Sequence, residues 1–215
     1  MNITFDVVNE TLTLLPEKAV YWERKKTLFI TDTHFGKTDS FRAHGIPVPT
    51  GSLDNDINVL TSLIEKLKPE IIFFLGDLFH AKKSKNEELM RRLTTWREKF
   101  SNVEMNLIRG NHDQHAGDPC EELKINCFDG PFEIAPFILS HDPQVFPSGY
   151  TLCGHVHPAV KLTGNNIPSA SVPCFYFSKH YAILPAFGSF TGTYKIKPVK
   201  GDNIFLATGT KVIPA

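Results

Sequence analysis

Three things are scarce in this chain of 215 residues: paired cysteines, net charge and long apolar runs. The four cysteines, Cys120, Cys127, Cys153 and Cys174, are scattered with no Cys-x-x-Cys pair. That spacing argues against a zinc knuckle or a disulfide framework and predicts reduced, structural thiols. Basic and acidic side chains balance at 23 each. A protein that coats duplex DNA by charge alone would not have that balance, although a zero sum leaves room for a local basic groove. No apolar stretch approaches the ~20 residues that a membrane helix needs. The opening residues lack the basic start and apolar block of a secretory signal, so a cytoplasmic location is expected. With no repeat, low-complexity tract or long linker, the sequence predicts one domain spanning residues 1–215.

What is present is a series of short β-type runs: Ile3–Val8, Thr11–Leu14, Ala19–Trp22, Leu28–Thr31, Ile71–Leu75 and Val103–Ile108. The last three are largely apolar, as strands covered on both faces tend to be. Two helical stripes separate them. Leu53, Ile57, Leu60, Ile64 and Leu67 share one face of the first, with Asp54 and Asp56 in its first turn and Pro69 as its stop. Leu89, Leu93, Trp96 and Phe100 mark the second, and Ser84 with Glu87 has the spacing of a capping box at its start. From about Phe132 onward the chain is strand-rich, with runs at Ile138–Ser140, Tyr150–Cys153, Cys174–Phe177, Tyr181–Leu184 and Tyr194–Val199. The fold class predicted is α/β, a sandwich of two sheets flanked by helices. Chemistry is expected in the loops at the carboxyl ends of its strands.

Those loops are rich in metal-binding side chains. Leu28–Thr31 leads into Asp32-Thr-His34, Ile71–Leu75 into Gly76-Asp77, and Val103–Ile108 into Gly110-Asn-His-Asp113. Phe137–Ser140 leads into His141, and Tyr150–Cys153 into Gly154-His-Val-His157. In an extended chain Asp32 and His34, or His155 and His157, would point to one side. Glycine before Asp77, Asn111 and His155 leaves room for close approach. Oxygen and imidazole donors without thiolate suit Mn²⁺, Fe or Zn²⁺, and seven such ligands are too many for a single zinc.

The ordered set D-x-H, G-D, G-N-H-D, H and G-H-x-H, spanning Asp32 to His157, resembles the calcineurin-like metallophosphoesterase superfamily. The resemblance implies a four-layer αββα fold with two mixed sheets, and two divalent metal ions. Asp32, His34 and His157 would hold one ion, Asn111, His141 and His155 the other, and Asp77 would bridge them. Two cations roughly 3.5–4 Å apart can clamp the attacking and leaving oxygens of an in-line displacement, with a hydroxide bridging them as nucleophile. His112 would face the phosphate as a catalytic group, and Asp113 would either join the catalytic set by orienting His112 or serve as a structural turn carboxylate.

Further segments, His34-Phe-Gly-Lys37, Phe41-Arg42, Gly45–Gly51, Leu78–Ala81 and Leu184–Gly192, are similar to one branch, the ligase-associated DNA damage response endonucleases. That likeness implies Mn²⁺, single-stranded DNA as substrate, and functional association with a DNA ligase and a helicase. Lys37, Arg42 and His80 are the substrate-contact candidates, with His44 a weaker one. Lys82, Lys83 and Lys85 could follow phosphates, or could be a solvated loop, and bases could stack on Phe35, Phe41 or Phe79. Arg24–Lys26 reads as a hairpin turn, His115 and His180 as structural or surface groups, and Pro185–Gly188 as a groove wall or a packing element. The competing readings are a phosphodiesterase or pyrophosphatase for a small nucleotide substrate, and an inactive scaffold that keeps the fold.

Overall fold

The computed structural model describes residues 1–43, 45–48, 51–164 and 167–215, so His44 lies outside the described residues. The first sheet holds seven strands in chain order: β1 (Ile3–Val7), β2 (Glu10–Leu15), β3 (Ala19–Trp22), β4 (Thr27–Ile30), β5 (Ile71–Phe74), β6 (Glu104–Ile108) and β7 (Ile125–Phe128). β1 to β4 are antiparallel. From β4 to β7 the pairing is parallel, so four successive carboxyl ends reach the same edge, three of them leading into metal-binding motifs. The helices are α1 (Lys37–Ala43), α2 (Ser52–Leu67), α3 (Glu87–Lys99) and α4 (Asn111–Ala116).

The second sheet follows: β8 (Phe132–Ile134), β9 (Phe137–Leu139), β10 (Tyr150–Cys153), β11 (Pro158–Gly164), β12 (Ile167–Phe177), β13 (Tyr181–Ile183), β14 (Tyr194–Lys195), β15 (Asn203–Ala207) and β16 (Val212–Pro214). Its order is β14-β11-β12-β13-β10-β9-β8, with β15 joined to β12 and β16 to β15. β9, β10 and β13 run parallel and deliver His141 and the His155–His157 loop to one end.

Two cores explain why β4 to β6 carry apolar residues on both faces. Leu28, Ile30, Ile72, Phe74, Met105 and Leu107 face α2 and α3, where Leu60, Ile64, Leu89, Leu93 and Trp96 meet them. Phe29, Phe73, Leu75 and Ile108 face the other way, against Phe137, Leu152, Phe175 and Phe177 of the second sheet. Trp22 crosses that interface edge-on to Phe137 at 5.0 Å. Each such ring buried fully between the sheets adds about 1.5–3 kcal/mol of apolar transfer.

The two-sheet α/β sandwich is as expected, with differences of detail. No α-helix follows Ala116 among the described residues, so no second helical layer covers the far sheet. Its outer face instead gathers Cys153, Cys174, Tyr176, Ile183, Ile196 and Leu206 into a small cluster of their own. The expected strand Tyr194–Val199 shrinks to Tyr194–Lys195, which pairs only with the start of β11. The capping box at Ser84 does not form. Ser84 is buried in a 3₁₀ turn, and α3 is capped by Asn86, whose side chain accepts the Leu89 N–H at 2.8 Å. A residue next to the first helical turn reaches that donor; one two residues earlier does not. Arg24–Lys26 is the turn between β3 and β4, as expected.

Candidate metal centre

The donor residues converge for a reason different from strand alternation. β4 and β10 end at Ile30 and Cys153, and the chain beyond them is not extended. Asp32, His34, Asp77, His155 and His157 all take positive φ, between +45° and +66°. For non-glycine residues that conformation costs of order 1–2 kcal/mol each, and such outliers concentrate at functional sites. The expectation that Asp32 and His34 point alike because the chain is extended therefore fails. Left-handed kinks at alternate residues turn the side chains inward instead.

Backbone hydrogen bonds hold these kinks. Asp32 donates to the Gly76 carbonyl at 3.1 Å, His34 to Asp77 at 2.9 Å, and Gly154 to His141 at 3.0 Å. Phe187 and Gly188 donate to the carbonyls of Thr31 and Asp32. Pro185–Gly188 is thus a packing element behind the first motif rather than a wall of the mouth, with Phe187 in the helix-side core. Gly76, at φ +89°, lies where a Cβ would overlap the His141 ring, and a Cβ on Gly154 would overlap the Thr31 hydroxyl. Glycine is required at both places by close approach.

The seven candidate ligands form one cluster with a buried floor and an open side. Asp32, His34, Asp77 and His141 are at most 4% exposed, whereas Asn111 and His155 are exposed. His157 Nε2 lies 3.3 Å from Asp32 Oδ1, and His34 Nε2 lies 3.6 Å from Asp77 Oδ2. On the other side His141 Nε2 is 3.5 Å from Asp77 Oδ1 and 3.1 Å from Asn111 Oδ1. His155 Nδ1 is 3.0 Å from that same Asn111 oxygen. Asp77 therefore stands between an Asp32–His34–His157 group and an Asn111–His141–His155 group.

The ring orientations and the unpaired atoms fit divalent cations. His141 donates Nδ1–H to the Leu75 carbonyl at 2.9 Å, and His157 directs Nδ1 at the Gly192 carbonyl at 3.1 Å. Both rings are left with Nε2 lone pairs facing inward, the form a metal requires. Asp32 Oδ1, both nitrogens of His34 and His157 Nε2 are buried without a hydrogen-bond partner. A buried polar atom left so costs about 1–3 kcal/mol, which cation ligation would offset. Ligand atoms of Asp32, His34 and His157, and of Asp32, Asp77 and His141, lie within 4.8 Å of one another. Burial, reinforced by the Lys37 charge, pulls the His34 ring down to about 3, so it is neutral near pH 7 despite the opposing Asp32 charge. Burial raises the Asp77 carboxyl, with the neighbouring His141 and the His112 N–H opposing.

His112 and His80 adjoin the cage without belonging to it. Their rings stack at 5.2 Å and 27°, and both stand edge-on to His34. His112 Nδ1 lies 2.8 Å from the His80 carbonyl, which fixes the ring. Asp113 does not orient His112, and of its two expected roles the structural one is what its contacts fit. It is buried and accepts from the backbone N–H groups of Asp77 (2.7 Å), Leu78 (3.0 Å) and Gly110 (2.9 Å), so it clasps two motif loops together. Its position three residues past the α4 N-cap aims the carboxylate at those donors and away from the next ring.

The rim departs further from expectation. Lys37 is half-buried, and burial lowers its ammonium while the charges of Asp77 and Asp32 oppose that fall. Arg42 is ion-paired with Asp39 on α1. Lys85 turns away from the site, bonded to the carbonyls of Gly117 and Asp118 and lying over the Phe79 ring. Lys82 and Lys83 remain solvated in the 3₁₀ turn. Phe35 and Phe79 are core residues, at 4% and 0% exposure, so neither offers a face to a base. Phe41 alone of the three lies at the site, against His80 and Phe190. His115 bonds its own helix, and His180 is exposed.

Sequence reasoning missed Lys18 and Asp56. Lys18 Nζ donates to the Phe187 carbonyl at 2.6 Å, and Asp56 accepts the Ser189 N–H at 3.1 Å. Together they pin the loop behind Asp32 to the first sheet and to α2. A lysine in a turn and an aspartate early in a helix carry no signal of that role.

The fold and cage define a metal-dependent phosphoesterase. The calcineurin-like phosphoesterase family profile matches residues 25–202, and the chain belongs to that family. Among solved structures it is similar to a nuclease, MPE, from Pseudomonas putida, at 32% identity and a TM-score of 0.89, with 100% of each chain covered. A protein of unknown function from Aquifex aeolicus shares 26% identity over 61% of this chain and 78% of its own, at a TM-score of 0.38. The E. coli phosphoesterase Yfce shares 16% over 84% and 86%, at 0.37. Among curated proteins no sequence matches. No helix among the described residues is long and apolar enough to cross a membrane.

Proposed function

We propose that this chain is an endonuclease that hydrolyses phosphodiesters of single-stranded DNA in DNA repair, with two divalent cations, Mn²⁺ foremost. The observation that carries the nucleic-acid substrate is the full-length likeness to the Pseudomonas putida nuclease. Asp32, His34 and His157 would hold one cation, Asn111, His141 and His155 the other, with Asp77 shared. When bound, such a pair activates water and neutralises charge on the phosphoryl oxygens.

The chain's own residues supply the rest. His112, held through Nδ1 by the His80 carbonyl, directs its other nitrogen at the mouth, where it protonates the leaving oxygen or stabilises charge on the phosphate. His80 and Lys37 line the same mouth and serve as phosphate contacts, and Arg42 would join them on exchanging its Asp39 partner. Asp113 and Gly154 position the ligand loops and touch no substrate. The oxygen and imidazole donors accept Mn²⁺, Fe or Zn²⁺, and metal availability selects among them. Association with a DNA ligase and a helicase, and a cytoplasmic location, complete the reading and rest on family resemblance and composition.

Incubation of the Mn²⁺-loaded protein with circular single-stranded DNA decides the matter. Linearisation of the circle is expected. An intact circle alongside rapid hydrolysis of small diesters or pyrophosphates would replace this reading with the small-nucleotide one.

A further inference from the structure

The zero net charge hides a strong asymmetry. Residues 158–215 carry six lysines, at 161, 179, 195, 197, 200 and 211, against the single acid Asp202. Two of these lysines stand on a structure that continues directly from the metal centre. β11 begins at Pro158, next to His157, and β14 begins at Tyr194, whose N–H bonds the His157 carbonyl at 2.9 Å. β12 outruns its neighbour β13, because Tyr176 already pairs with Ile183, the last residue of that strand. Among the described residues, those of β12 before Pro173 pair only with β11. The β11–β12 hairpin, edged by β14, is thus an arm extending past the strand ends that carry His155 and His157.

Register decides which way its side chains face. Phe175 and Phe177 of β12 point into the core between the sheets. Alternation puts Pro173 and Ser171 on that same face. Ala159 pairs with Pro173, Lys161 with Ser171, and Lys195 with Ala159. The opposite face carries Val160, Val172 and Ile196, which belong to the outer cluster and agree with this assignment. Lys161 and Lys195 therefore share the inner face beyond the sandwich, at the end of the sheet that carries His155 and His157, and both are exposed.

We infer that the arm formed by β11, β12 and β14 is a phosphate track for single-stranded nucleic acid, with Lys161 and Lys195 gripping the strand beside the scissile diester. This rests on the nuclease reading and adds a binding surface to it. Lysines act there as point charges without base preference, which suits a sequence-tolerant substrate. A small diester that fills only the cage reaches neither lysine.

The test compares two double variants of equal charge change. K161E/K195E alters the arm. K179E/K200E alters a hollow at the opposite end of β12, lined by Phe5, Tyr150 and Phe177. Binding of a fluorescent ~30-nucleotide single strand is measured by anisotropy with chelator present, together with Mn²⁺-dependent turnover of that strand and of a chromogenic diester. The arm variant is expected to bind at least about tenfold more weakly and to raise KM for the strand, with chromogenic turnover unchanged. The control pair should change affinity less than about threefold at 0.1 M salt, since charges beyond a Debye length of ~10 Å are largely screened. In K161Q/K195Q the dependence of log affinity on log salt should flatten by about 1.4, two phosphates at ~0.7 each. Equal losses in both double variants, or no loss in the arm variant while the parent binds and cuts DNA, overturns the track alone. A parent that turns over the chromogenic diester but neither binds nor cuts DNA overturns the nuclease reading, and the track with it.

Discussion

Asp32, His34, Asp77 and His141 are sealed at the floor of the cage, while Lys161 and Lys195 stand in solvent on two strands that begin beside His157. The floor is held redundantly. Backbone bonds join the Asp32–His34 loop to Gly76 and Asp77 and join Gly154 to His141, the Asp113 carboxylate clasps the Asp77 and Gly110 loops, and glycines admit contacts that any side chain would block. Among the described residues, the arm is held by the pairing of β11 with β12 on one side and with β14 on the other. On the proposed function, cage residues set whether any phosphoester is hydrolysed, and arm residues set which substrates are held. Changes to the floor should therefore act on every substrate, and changes to the arm only on long ones.

The largest expected break in this contrast is at the bridge. Asp77→Ala should lower hydrolysis of a chromogenic diester by about a thousandfold, several kcal/mol of lost charge stabilisation. Metal analysis should show depleted ions, and chelation of the parent should reproduce both effects and lower its melting temperature, reversed by Mn²⁺. Retained metal and turnover in Asp77→Ala would remove Asp77 from the ligand set.

Next comes His112→Ala, expected to lose about 10²–10⁴ in turnover while keeping its full metal content. Parent-like rates, or loss of metal, would contradict its place outside the cage. Gly154→Ala tests packing rather than chemistry. Its new methyl would collide with Thr31 and the Asp32 carboxylate, so a loss of about 1–3 kcal/mol in denaturant unfolding is expected. An unchanged unfolding midpoint would show that the floor yields more easily than its contacts indicate.

The smallest effect belongs to the surface pair Arg109–Asp118 at 2.7 Å, which ties the end of α4 to β6. The guanidinium holds Asp118 below its ordinary carboxylate value, against a small effect of burial. A depressed folded-state value means the stabilisation is present above the unfolded value of 3.8 and lost as pH falls through the folded one. Asp118→Asn should thus cost at most about 1 kcal/mol near pH 7, with the difference from the parent vanishing in acid. A difference that persists at pH 2 would show that the cost is not electrostatic.

Much of the site was legible because its donors stand next to strand ends, and strand ends are readable from apolar runs and glycines. The seven donors, His112 and His80 were all singled out on that basis, and all lie together. Errors arose where a side chain's partner is distant in sequence. Asp113 was paired with its chain neighbour His112, yet its partners are backbone groups of Asp77, Leu78 and Gly110. Phe35 and Phe79 flank the motifs in sequence and read as stacking surfaces, yet both are buried. Lys85 reads as a phosphate contact or a solvated loop residue, and it bonds the Gly117 carbonyl instead. Ser84 matched a capping spacing that Asn86 fulfils.

By itself the sequence determined the α/β class, the two apolar-striped helices and the identity of the residues able to bind metal, since these depend on local periodicity and on side-chain chemistry. Only the tertiary structure decided how those residues meet. The left-handed kinks at Asp32, His34, Asp77, His155 and His157 are unfavourable locally and persist because bonds from other strands hold them. The face on which Lys161 and Lys195 stand was likewise settled by strand register, and a slip of one residue would have turned both away.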